Sequence, residues 1–353
     1  MLEKARSHLL MSKLILFLLL LFLGMGLVSS KFFVAPKPVS APIEIKQKVV
    51  TPPVLSTPKV SETYLFKHLQ KLTGDYAQRS AKGDRSTNQN RTFARNYITA
   101  SLKSLGWSSS VQRFADGINI VAERSATSPK TGTIIVAAHY DTVPGSPGAD
   151  DNASGVATLL EIARIFSNLS TLQTLKLVFF DSEEIGLRGS LAFTANKANL
   201  ANLNGVVVMD MIGFACYTTG CQKYPPGLPK IPQRDYAQRS AKGDRGDFLA
   251  VVGDGEHLQL LNAFNGNKLP VITLPIPLKG LFTPDVLRSD HAPFWYQGIG
   301  AVLVTDTANL RSPHYHQSSD TVANIDRSFF VGAAQVVVNA THRLLEMGDR
   351  APN

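Results

Sequence analysis

Cysteine is almost absent from this 353-residue chain: Cys216 and Cys221 are the only two. A cysteine-built metal site or a disulfide-stapled scaffold is thereby excluded, because each needs more sulfur than one pair supplies. The pair stands close together in CYTTGC, with a glycine to allow a tight turn. In an exported chain that spacing predicts a disulfide. The formal net charge is +9, yet no run of lysine or arginine with interleaved aromatics occurs, which argues against a nucleic-acid-binding face. Long apolar runs are also missing, apart from Leu14 to Val28.

That one run follows Lys4, Arg6 and Lys13 and ends in the small-residue sequence Val28-Ser29-Ser30. At about 15 residues it is short for a spanning helix of ~20, so residues 1–30 read as a signal peptide or an N-terminal membrane anchor through residues 14–28. Either one implies export, to a periplasmic or secreted location or to a membrane surface. Residues 31–61 carry Pro36, Pro38, Pro42, Pro52, Pro53 and Pro58 with few large apolar side chains, and predict an extended linker. No second linker follows, so residues 62–350 are expected to form one large domain with a buried core. Oligomeric state leaves no mark in the sequence.

Helical periodicity spans Ser86 to Leu105, and Ala115-Asp116-Gly117 predicts a hairpin turn between Val111–Phe114 and Ile118–Ala122. Apolar strands are predicted at Thr133–Ala138, Leu175–Phe180, Val206–Met209, Phe248–Val252, Val271–Leu274 and Ala301–Val304. Between them lie helices at about 153–169, 187–197, 257–265 and 327–346. Strands alternating with helices give an α/β fold, a three-layer αβα sandwich about a central mixed, mostly parallel sheet. The eleven residues DYAQRSAKGDR occur twice, at Asp75–Arg85 and Asp235–Arg245. Both copies are polar and are expected in surface loops without function.

Against that frame a set of polar residues stands out. His139, Asp151, Glu183, Glu184, Asp210 and His316 each lie at or just past an apolar run or beside a glycine-rich turn. Two histidines and three carboxylates suffice for two divalent metals sharing a bridging carboxylate, with a fourth carboxylate left as a base. Asp141, two residues after His139, can hydrogen-bond its second ring nitrogen. Glu183 and Glu184 would point to opposite faces of a regular strand, so the chain must leave strand geometry there if both serve one site. One would then bind metal while its neighbour takes a proton from water. His314 and His316 compete for the last ligand position.

The segments AAHYDT, GADDNASG, DSEEIGLRGS, VVVMDMIG, SDHAPF and YHQSSDT, in this order, resemble the motifs of the bacterial leucyl-aminopeptidase-type dinuclear zinc exopeptidases. That superfamily also contains glutaminyl cyclases and glutamate carboxypeptidases. The resemblance implies two Zn²⁺ ions, with His139 and Asp210 on one, Glu184 and His316 on the other, and Asp151 between them. It implies Glu183 as general base, Asp141 as partner of His139, and Tyr315 as hydrogen-bond donor to the developing oxyanion. It further implies a cis bond between Asp151 and Asn152, supporting roles for Asp290 and His291, and peptides with a free N-terminus as substrates. A cyclase would carry tryptophan where Tyr315 stands, and a carboxypeptidase would need a basic pocket, for which Arg288 or Arg311 could serve. A catalytically inactive ectodomain is the remaining reading, and every ligand position is filled.

Overall fold

The computed structural model describes residues 58–127, 132–224 and 244–347. The chain divides into two compact units, 1–54 and Leu55–Asn353, and every described residue belongs to the second. The expected signal or anchor segment and most of the linker lie outside the described residues, as does nearly all of the second copy of the repeated eleven. Among the described residues no helix is long and apolar enough to cross a membrane.

Eight strands form one sheet in the order β1-β2-β4-β3-β5-β8-β6-β7. They are β1 (Ser108–Phe114), β2 (Gly117–Arg124), β3 (Thr133–His139), β4 (Thr174–Phe180), β5 (Leu203–Met209), β6 (Leu249–Asp254), β7 (Val271–Ile276) and β8 (Ala301–Thr305). The β1–β2 hairpin is antiparallel, with Phe114 facing Gly117 across the Asp-Gly turn. β4, β3, β5 and β8 run parallel, so their carboxyl ends share one edge of the sheet. β6 joins β8 antiparallel, with Ala250 opposite Thr305, and β7 follows β6 in parallel. The sheet is therefore more mixed than the alternation of elements suggests: apolar content fixes a strand's burial, whereas its direction depends on the path of the connection.

Alternate residues along each strand feed opposite faces. Ile134, Val136 and Ala138 of β3 join a core closed by α1 (Glu62–Thr73), α3 (Gly155–Phe166) and α7 (Arg327–Glu346). Ile135 and Ala137 face the other way, toward Phe193 of α4 (Arg188–Ala195) and Phe294 and Trp295 of α6 (Ala292–Tyr296). Three layers result. Helix α1 was not anticipated, although Leu65, Leu69 and Leu72 are fully buried at helical spacing and the Ser61 hydroxyl caps it by accepting from Tyr64 N at 3.2 Å. Helix α2 (Arg85–Ser104) packs on β1 and β2, and α5 (Leu258–Asn262) on β6 and β7.

The repeated eleven departs from its expected place. In the first copy Arg79 and Ser80 are buried, and the Arg79 guanidinium donates to the carbonyls of Leu72, Tyr76, Tyr140, Pro147 and Gly148 at 2.8–3.5 Å. Far from decorating a surface, this copy ties the end of α1 to the chain after β3 and to the loop before Asp151. Its polarity hid this, since a buried arginine satisfied by backbone carbonyls leaves no apolar signal.

His68 is buried on α1 with its Nδ1 2.7 Å from the Tyr97 hydroxyl. Burial lowers its pKa from about 6.5 to about 4, so the folded protein holds it neutral. Its contribution to stability is present above about pH 6.5 and is lost as pH falls toward 4. Urea unfolding measured across that window should show a stability slope that His68→Gln reduces; an unchanged slope would remove His68 from the account.

Candidate metal centre

The carboxyl ends of β3, β4 and β5 deliver the first groups, as expected where parallel strands meet their loops. His139 is the last residue of β3, and Asp210 follows β5 with its N–H on Val304 O at 3.1 Å. After β4 the chain leaves strand geometry at once. Ser182 takes a left-handed conformation (φ 61°), Glu183–Ile185 make a single 3₁₀ turn, and Gly186 (φ 102°) and Leu187 (φ 58°) reverse the chain again. Both glutamates thereby face one site. The Asp141 carboxylate fixes this turn by accepting from Glu183 N at 3.0 Å and Glu184 N at 3.3 Å. Its distance to His139 Nδ1 is longer, 3.5 Å, while its backbone carbonyl lies 3.2 Å from that nitrogen.

Asp151 comes from the irregular turn Ala149–Ser154 that opens α3. Gly148 precedes it at φ 64°, where a Cβ would stand 2.3 Å from Thr142 Cγ2 and 2.5 Å from Asp151 O, so only glycine fits. The Asp151–Asn152 peptide bond is cis, as the resemblance implies. Asn152 donates to Met209 O at 2.8 Å and binds this turn to the end of β5. Asp320 accepts from Asp150 N and Asp151 N at 2.8 and 3.0 Å. Asp150 turns away and accepts from Gly213 N at 2.7 Å.

The expected ligands converge as two trios, His139–Asp151–Asp210 and Asp151–Glu184–His316. Asp151 Oδ1 lies 3.3 Å from His139 Nε2, and its Oδ2 lies 3.2 Å from His316 Nε2. One carboxylate thus serves both trios, one oxygen to each. His139 Nε2 is 3.5 Å from Asp210 Oδ1, and His316 Nε2 is 3.1 Å from Glu184 Oε2. Within each trio the ligand atoms lie within 4.8 Å of one another. His314 is turned aside, with Nδ1 2.9 Å from Ser319 Oγ.

The electrostatics suit bound cations. Burial, reinforced by neighbouring carboxylates, pushes Glu183 well up and Glu184 up to about 7. Burial opposes charge on the histidines, but the surrounding carboxylates outweigh it, raising His316 to about 10 and His139 well above its ordinary value. The same histidines hold Asp151 low against the effect of its own burial. Buried His139 Nε2 and Glu184 Oε1 have no hydrogen-bond partner. Nitrogen and oxygen donors grouped this way, with orphaned lone pairs and surplus negative charge, suit a pair of borderline cations such as zinc.

Asp290 and His291 are buried beside this group; burial raises Asp290 to about 7 and lowers His291 to about 4. Neither belongs to a trio. Arg311 is excluded from any substrate pocket: it is buried, donating to Phe214 O, Phe248 O and Gln222 Oε1. A third grouping, Asp254, Glu256 and His257, ends β6 at the opposite edge of the sheet; there His257 pairs with Asp254, and Glu256 with Lys279. The functional residues that were not foreseen are Arg79 and Asp320, both of which act on backbone. For Asp320 the cue existed in its place four residues after His316.

A cavity of about 570 Å³ opens beside the trios. Ala250 and Val252 of β6, Ile272 and Leu274 of β7 and Leu303 of β8 give it an apolar floor, and Tyr315 and Arg288 stand on its wall. Near it, Cys216 and Cys221 form the expected disulfide.

The model of peptidase family M28 matches residues 119–242 and 273–341. Over 241 residues the chain is 34% identical to the uncharacterized protein YfbL of Escherichia coli, covering 62% of this chain and 68% of that one. Over 244 residues it is 35% identical to the aminopeptidase YwaD of Bacillus subtilis, covering 65% of this chain but only 45% of YwaD. In structure it is similar to a zinc aminopeptidase from Bacillus subtilis, with a TM-score of 0.62 at 15% identity, over 84% of this chain and 97% of that one. The last likeness carries the fold.

Proposed function

From the membership of this chain in peptidase family M28 we propose that it is an exported, zinc-dependent aminopeptidase that releases residues from free N-termini of peptides. The observation that carries this reading is the sharing of Asp151 between two ligand trios with a second, unshared glutamate alongside. His139 and Asp210 would hold one Zn²⁺, Glu184 and His316 the other, and Asp151 both. When bound, the two ions polarise the substrate carbonyl and acidify water.

Glu183, outside both trios, accepts the proton of the attacking water and returns it to the leaving amine. Tyr315 lines the cavity beside Asp151 and His316 and donates its phenolic hydrogen to the carbonyl oxygen as charge develops there. Asp141 holds the backbone of both glutamates and so keeps base and ligand in register. The apolar floor receives a hydrophobic side chain of the substrate. The Cys216–Cys221 disulfide supports export.

A panel of aminoacyl amides, assayed before and after chelation, tests the proposal. Leucyl and phenylalanyl amides should be cleaved, and N-acetylated counterparts should not. Chelation should abolish cleavage, and zinc should restore it. Cleavage of blocked substrates at the same rate, or full activity in the metal-stripped protein, would refute it.

A further inference from the structure

Arg288 stands on the cavity wall, and its partners among the described residues are uncharged. Its Nη1 donates to Asn309 Oδ1 at 3.2 Å and its Nη2 to the Tyr315 hydroxyl at 2.9 Å. Among the described residues no carboxylate lies within ion-pair distance of it, nor of Lys223, the other cation lining the cavity. Outside the trios and Glu183, Asp285 is the one acid on that wall among the described residues. A guanidinium carries five donors in a planar fork, and most of those on Arg288, which is exposed to solvent, have no partner among the described residues. Two neutral contacts hold it in place without neutralising it.

Its position is specific as well. The guanidinium lies 5.9 Å from the centre of the Tyr315 ring, and that ring stacks on His316 with centroids 3.7 Å apart. Arg288 is thus one hydrogen bond from a tyrosine that touches the metal centre. With Tyr315 at the scissile carbonyl, as proposed above, a group bound by this fork sits close to the scissile bond, not several residues along a peptide. The partner that a planar, uncommitted fork selects is a carboxylate, bound through two parallel charge-assisted hydrogen bonds. In a peptide whose first residue is being removed, the carboxylate nearest the scissile bond is the α-carboxylate of a second and last residue.

We propose that Arg288 is the substrate-carboxylate subsite and that the preferred substrates are dipeptides with a free C-terminal carboxylate. This rests on the aminopeptidase reading above. It also reconciles the two chemistries raised by the sequence, because removing the first residue of a dipeptide also removes its last. An acidic side chain at the second position offers the same chemistry from another source, so the test separates the two.

The experiment compares kcat/KM of the zinc-loaded full chain on Leu-Gly, Leu-glycinamide and Leu-Glu α-amide. Leu-Gly should exceed Leu-glycinamide by about 10- to 100-fold, the usual worth of hydrogen bonds to a charged group. Arg288→Met should bring that ratio close to one, and Arg288→Lys should keep part of it. Arg288 also touches Tyr315, so Arg288→Met is expected to slow both substrates; the ratio is the reading. Tyr315→Phe should slow both and preserve the ratio.

A wild-type ratio near one, a ratio unchanged in Arg288→Met, or Leu-Glu α-amide outpacing Leu-Gly would overturn the proposal. Calorimetric titration of the metal-stripped protein with Leu-Gly and Leu-glycinamide gives a second readout. Tighter binding of Leu-Gly without hydrolysis of any substrate would sink the peptidase reading and leave the subsite standing. Equal binding of the two would sink the subsite alone.

Discussion

Glu183→Gln should lower kcat by roughly 10² to 10⁴ while KM changes little, the loss expected when a positioned proton acceptor is removed and geometry is kept. The substitution preserves size, and Glu183 belongs to neither trio, so metal content should stay full. Glu184→Gln should fail differently. It replaces an anionic donor 3.1 Å from His316 with a neutral amide, so one metal position weakens and the purified protein holds less than its full complement. Excess zinc should then restore part of the activity of Glu184→Gln and none of that of Glu183→Gln. Metal loss at Glu183 with full content at Glu184 would show the two roles reversed.

Arg79→Met should destabilise the fold by about 3–5 kcal/mol, since it strips a charged donor from several buried carbonyls at once. Burial lowers Arg79 to about 10, which still leaves it charged at neutral pH. Tyr140 and Pro147 lie close in sequence to His139 and Asp151, so their carbonyls would lose the Arg79 donor beside the ligand trios, while Gly148 O would keep its bond from Ala153 N at 3.1 Å. Arg79→Lys should recover only part of the loss, because an ammonium cannot span acceptors arranged for a fork. Urea unfolding of the metal-stripped protein measures this without reference to activity. A change below about 0.5 kcal/mol, the range of ordinary surface substitutions, would return the first copy of the repeat to the surface.

What the sequence makes legible here follows from how each feature signals. Strands β3, β4 and β5 are short apolar runs closed by a polar residue, so both their burial and the place of His139, Glu183 and Asp210 can be read from the chain. The trios become visible because ionisable groups are costly among apolar neighbours unless they pair or ligate. Groups that serve backbone are silent. Arg79 and Asp320 hold the loops that hold the ligands, and neither sits in a periodic apolar pattern. Helix α1 was missed for a lesser reason: its apolar spacing follows a proline-rich stretch, and the Ser61 cap that starts it is a single residue. The antiparallel entry of β6 depends on the connection from β5, much of it outside the described residues.

The division of Asp151 between two trios has a thermodynamic consequence. If each trio holds an ion, as proposed, one side chain contributes to both positions, so filling either changes the free energy of filling the other, and the effect is equal in both directions. The two positions are then a single titrating unit, and the active fraction of the enzyme follows the occupancy of the pair, not that of either ion. With export as proposed above, metal supply is set by the surroundings, and that coupling ties the threshold for activity to the weaker of the two bound states.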